Sequence, residues 1–130
     1  MASSTTSVIT HHRRVSLAKI TRGAVDTIPK ITHIAFGSGG VDESGQPIQP
    51  LETMTALNHE VARYEIEKVE TPVDTTNRYT VTIPESDLNG VNINEMALID
   101  AEGQLAAVKT SLNKGKDGDV EFTFQFDDEF

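Results

Sequence analysis

Gly37-Ser38-Gly39-Gly40 is the stretch whose composition most invites chemistry. A glycine-rich turn after a β-rich run can aim several backbone N–H groups at one anion, which is how phosphate cradles work. Position 42 is Asp, so the spacing G-x-G-x-x-G fails, and no Lys-Ser or Lys-Thr pair follows. The chain from Val41 to Pro50 carries Gly45, Pro47 and Pro50, a loop composition that offers no helix N-terminus to an anion. The expectation is a mobile, exposed loop over 37–50 that binds no anion.

The other reactive residue types are scattered. His11, His12, His33 and His59 make neither H-x-x-x-H nor H-E-x-x-H, and adjacent His11 and His12 would project about 100° apart on a helix. Asp42-Glu43-Ser44-Gly45 and Asp117-Gly118-Asp119 offer oxygen ligands, but neither completes the twelve-residue calcium loop with its distal Glu. No G-x-S-x-G elbow presents a serine nucleophile, and the absence of Cys removes thiolate chemistry and disulfides. Glu65, Glu67 and Glu70 read as the solvated side of a strand. No catalytic site, metal site or cofactor emerges.

One carboxylate is out of place. Val91 to Thr110 reads as a β-hairpin, with Ile93, Ala97 and Ile99 alternating against Asn92, Asn94 and Met96 and a turn at Asp100-Ala101-Glu102-Gly103. Gly103 is expected at φ > 0. Glu95 shares the face that Ile93, Ala97 and Ile99 would bury, so it must find a partner, a crevice or an open sheet end.

Around the hairpin the elements follow in order. A Ser/Thr-rich leader, 1–7, is expected to fray. Ser7 or Thr10 then caps a helix to about Arg22, with Val15, Leu17 and Ile20 as its thin apolar stripe and Gly23 at its C-cap. Strands are expected at 30–36, from about Ala62, at 78–83, in the hairpin and at Phe122, Phe124 and Phe126, with one or two helical turns over 51–58 and a polar turn over 72–77. About six strands joined by short connections predict an α+β chain: mostly antiparallel β-sheet or a small sandwich, with an N-terminal helix. The expected division is 1–22, a leader and basic helix, and 23–130, a single β-rich domain.

At 130 residues the chain is long enough to bury a real core without staples. Its net charge of −9 is unevenly spread: residues 1–34 carry +4 and the remainder −13. An acidic body argues against nucleic acid as the main ligand, and no window is apolar enough for a membrane span. A basic head on an acidic body suggests a contact between them, within one chain or between copies.

Three stretches in register resemble the N-terminal domain of phage tail-collar fibre proteins. They are Ile31-Thr32-His33-Ile34-Ala35-Phe36-Gly37-Ser38-Gly39-Gly40, then Ala56-Leu57-Asn58-His59-Glu60-Val61-Ala62-Arg63, then Ile93-Asn94-Glu95-Met96-Ala97-Leu98-Ile99-Asp100-Ala101-Glu102-Gly103-Gln104-Leu105. The resemblance covers about Ala18 to Thr110. It implies a virion part at the end of a phage tail or a prophage-derived particle, made in the host cytoplasm, whose N-terminal domain attaches a fibre to the baseplate. Such fibres continue into a long shaft and receptor-binding tip. This sequence stops at Phe130, so receptor binding is not carried over.

The function expected is therefore a non-enzymatic tail protein working through contacts with other copies of itself, as a homo-oligomer, and with tail or baseplate proteins. The alternative is a small carbohydrate- or calcium-binding β module using the 37–50 loop. Glu95 and Arg63 are expected to form a structural ion pair, since both fall on strands of one sheet and at motif positions of the resemblance. Arg13, Arg14, Leu17, Ile20 and Arg22 are expected to form the assembly interface.

Overall fold

The structure is a computed structural model that describes residues 5–116, 118 and 121–130. It is mostly antiparallel β-sheet with one short helix. The elements are β1 (Thr5–Ile9), α1 (His11–Thr21), β2 (Ile31–Gly37), β3 (Glu60–Glu65), β4 (Lys68–Val73), β5 (Thr76–Ile83), β6 (Asn92–Asp100), β7 (Leu105–Gly115) and β8 (Phe122–Glu129). A five-stranded sheet runs β1-β7-β6-β2-β3 and a three-stranded sheet runs β4-β5-β8.

The central hairpin β6–β7 is buried on both faces, because the second sheet covers one and Leu57, Met54 and Val8 cover the other. The β6–β7 register shifts between Ile93 and Glu95 and again between Leu98 and Ile99. Met96 and Leu98 face the second sheet and join Ile34, Phe36, Tyr79, Val81, Ile83, Phe124 and Phe126 in the main core. Ala97 and Ile99 point the other way and pack with Ala35, Leu105, Val108 and Leu57. Ile93 sits with the main core, so the first irregularity moves it off the face it was expected to share with Ala97 and Ile99. The turn matches expectation: Gly103 lies at φ 79°, its N–H bonding the Asp100 carbonyl at 2.9 Å.

One strand lies where none was expected, and the strand expected from about Ala62, with Glu65, Glu67 and Glu70 on its solvated side, is split into β3 and β4. Residues 5–9 pair with β7 from Thr5↔Ser111 to Ile9↔Ala107, so the second half of the leader is an edge strand; its first four residues lie outside those described. Strand β4 includes Pro72 and has every residue exposed. The polar turn narrows accordingly to Asp74-Thr75. Residues 51–58 form turns and no helix. Helix α1 starts as expected, with Thr10 as N-cap accepting the Arg13 N–H at 3.2 Å, and Gly23 follows its end at φ 78°.

Candidate functional site

Glu95 is 1% exposed, and three backbone N–H groups hold it. Oε2 accepts from Gly39 N and His59 N, both at 2.8 Å, and Oε1 accepts from Asn58 N at 3.0 Å. Beside it, Asn94 Oδ1 accepts from Gly40 N at 2.7 Å. The glycine turn is thus an anion cradle after all, and the anion is the chain's own side chain. This placement also says why the turn is glycine. A Cβ on Gly37 would lie 2.5 Å from Glu95 Oε2 and 2.5 Å from the His59 carbonyl, and one on Gly40 would strike the Asn94 carbonyl.

The expected ion pair between Glu95 and Arg63 is therefore corrected. Arg63 donates from Nε to Glu60 Oε2 at 3.0 Å and from Nη2 to Glu60 Oε1 at 2.9 Å, in a half-exposed pair three residues apart. Arg63 and Ala35 face each other across β2–β3, while Glu95 reaches toward Gly37 at the strand ends. A buried carboxylate needs donors aimed at it, and fixed backbone N–H groups supply them without ordering a long side chain.

The 37–50 loop is also less free than expected. Residues 42–44 are exposed, but Gly40 and Pro50 are buried, Ile48 N bonds the Gly40 carbonyl at 2.8 Å, and Thr110 Oγ1 donates to the Ile48 carbonyl at 2.7 Å. Asp42 Oδ1 accepts from the N–H groups of Ser44 and Gln46, and the Ser44 hydroxyl holds its carboxyl below the usual value. The loop is a strap, with Leu57 and Met54 beyond it covering Ala35, Ala97 and Val108.

The basic head divides into an anchored base and a free end. Buried Thr10 donates its hydroxyl to the Leu105 carbonyl at 2.6 Å, and its N–H bonds the Ala106 carbonyl at 3.0 Å. His12 Nε2 lies 3.2 Å from Asp100 Oδ2. Arg13 Nη1 sits 3.0 Å from Asp128 Oδ2 and its guanidinium covers the Phe130 ring at 5.4 Å. Burial pushes the Asp128 carboxyl up, and Arg13 opposes that shift. The head-to-body contact suggested by the charge asymmetry is thus made within one chain at Arg13.

Beyond Arg13 the body covers the helix only in part. No residue of α1 is buried; Leu17 and Ile20 are half-buried, Val15 and Arg22 are exposed, and Arg14 meets only an exposed Glu52 at 3.5 Å. Sequence reasoning missed Asp128 as the partner of the head. Its signal was the acidic run Asp127-Asp128-Glu129, whose alternation with Phe122, Phe124 and Phe126 puts Asp128 on the inward face.

Among the described residues, one cluster has metal-compatible donors: single ligand atoms of His12, Asp100 and Glu102 lie within 4.8 Å of one another. Asp100 is already engaged there, because its Oδ1 accepts from Glu102 N and Gln104 N while Oδ2 faces His12.

Comparison with known proteins gives one match. The family model described as phage tail-collar fibre protein, N-terminal, matches residues 1–118. No curated protein and no solved structure matches.

Proposed function

The chain belongs to the phage tail-collar fibre protein N-terminal family, and from that premise we propose that it is a non-catalytic mount that attaches a fibre to the baseplate through protein–protein contacts. Membership carries a structural role in a phage tail and a place in the virion. The finer reading, attachment and assembly with further copies of itself, rests on one observation. Helix α1 is fixed at its base by Thr10 and Arg13 and carries no buried residue beyond them. An isolated eleven-residue helix is marginal in water, so a surface that covers Leu17 and Ile20 would stabilise it.

In this reading residues 1–22 are the attachment segment and 23–130 the body, with β1 tying one to the other. The two sheets, which share one core, act as a small rigid sandwich. Arg14, Leu17, Ile20 and Arg22 contact the neighbour, while Arg13 sets the helix at its angle. Calcium or carbohydrate at the 37–50 loop is less well supported, since the N–H groups of Gly39 and Gly40 and the Asp42 carboxylate are occupied internally.

Removing residues 1–22 would also remove an edge strand, so point variants make the cleaner test. Arg14→Glu with Arg22→Glu and Leu17→Ala should leave the melting temperature within a few degrees of the parent, as surface changes do. The same variant should lower the particle mass seen by light scattering. An unchanged mass, or a parent protein that is monomeric alone and with baseplate proteins, overturns the helix as the contact.

A further inference from the structure

The two sheets differ in width, five strands against three, and they are offset. Lys109 on β7 lies over the Phe126 ring of β8 at 5.7 Å, and Phe36 on β2 meets Phe124 of β8 at 5.0 Å. β8 is the last strand of its sheet, yet β1 continues the larger sheet beyond β7. A cleft of about 520 Å³ lies there, where a fourth strand of the smaller sheet would run. Its floor is Ser7 and Ile9 of β1 with Ala107 and Lys109 of β7; its wall is Phe126 and Asp128 of β8. Ser7↔Lys109 and Ile9↔Ala107 are cross-strand pairs, so these four side chains share one face.

Two charged groups in this cleft are underserved. Among the described residues no carboxylate lies within ion-pair distance of Lys109, and Asp127, the carboxylate that acts on it, is held by Nε and Nη2 of Arg78. Asp128 is 2% exposed, and among the described residues its Oδ2 meets a single polar group, Arg13 Nη1 at 3.0 Å. Phe126 lies beneath Lys109, and Asp128 follows two residues along the same face, about 7 Å further on. An extended strand repeats its side chains at that period.

We propose that the cleft receives an extended segment of a different polypeptide. The segment pairs with the open edge of β8 and sets an acidic side chain over Lys109 and a basic one, two residues away, beside Asp128. Strand addition supplies backbone hydrogen bonds, and the charge pair supplies register and specificity. A second copy cannot fill the cleft by pairing β8 with β8 about a twofold. That arrangement places both larger sheets on one side, where the β1–β7 shelf of each would occupy the other's space. The proposal goes beyond the helix contact and does not depend on it.

The test uses three seven-residue strand peptides that differ only at two alternate positions, which hold Glu and Lys, two Glu, or two Lys. Binding to the full chain is read by fluorescence anisotropy, with melting curves confirming that each variant is folded. The mixed peptide should bind about tenfold tighter than either like-charged one. Lys109→Glu should transfer the preference to the two-Lys peptide, and Ser7→Trp, at an exposed position on the floor, should abolish binding. Equal binding of all three peptides, no binding at millimolar concentration, or full binding to Ser7→Trp overturns the proposal. Self-association of the chain that Ser7→Trp abolishes also overturns it, by assigning the cleft to a second copy. The Arg14→Glu and Arg22→Glu changes should leave peptide binding untouched, which separates failure here from failure of the helix contact.

Discussion

Glu95 and Asp128 are both nearly inaccessible carboxylates, 1% and 2% exposed, and the chain accommodates them in opposite ways. Glu95 is met by three backbone N–H groups from two loops. Asp128 is met by one arginine from the far end of the chain, in an ion pair at 3.0 Å. The first solution closes the fold locally and leaves nothing for a partner. The second leaves polar capacity unfilled beside a cleft. One buried charge is answered by backbone from adjoining loops, and the other by a side chain more than a hundred residues away in the sequence.

The comparison is broken most directly at Glu95. Glu95→Ala removes the acceptor from three N–H groups at once, and each buried unsatisfied donor costs about 1–3 kcal/mol. The expected loss is roughly 3–5 kcal/mol, seen as a lower denaturant midpoint at unchanged slope. A loss below about 1 kcal/mol would show that the loops are held by something else. Gly37→Ala attacks the same cradle from the other side. Its Cβ must displace Glu95 Oε2 or the His59 carbonyl, so a loss of about 1–3 kcal/mol is expected by the same measurement.

Asp128 sharpens the comparison through pH. Its folded carboxyl is raised by burial, so its contribution to stability is fully present below the ordinary value of 3.8 and is lost as pH rises through the folded value. Asp128→Asn lacks that loss, and its melting temperature should gain on the parent as pH increases across that window. Asp127 next to it has the opposite sign. Arg78 holds its carboxyl down, so its contribution is present above 3.8 and disappears as pH falls through the folded value. Asp127→Asn should therefore gain on the parent as pH falls. Parallel pH profiles for the two variants would contradict the assignment. The smallest effect belongs to Arg63→Met, which breaks a half-exposed pair with Glu60 and should cost under about 1 kcal/mol in the same melts.

Much of this molecule is legible in its residues alone, because local chemistry decided it. Thr10 and Gly23 bound the helix, Gly103 turns the hairpin, and Tyr79-Val81-Ile83 and Phe122-Phe124-Phe126 alternate because one face of each strand meets a core. The three motif stretches carry the resemblance to the family whose model matches residues 1–118. Glu95 announced itself as anomalous, since a carboxylate among apolar neighbours must be answered, yet its partner stayed hidden. Side-chain charge is visible in a sequence, whereas the aim of a backbone N–H depends on loops that meet only when β2 and β6 pair. Strand β1 was equally hidden, because an edge strand rich in polar residues gains its hydrogen bonds from a neighbour and needs no apolar alternation. The pairing of Arg13 with Asp128 and the offset of the two sheets span nearly the whole chain. Contacts of that separation are settled by packing, which no local pattern encodes.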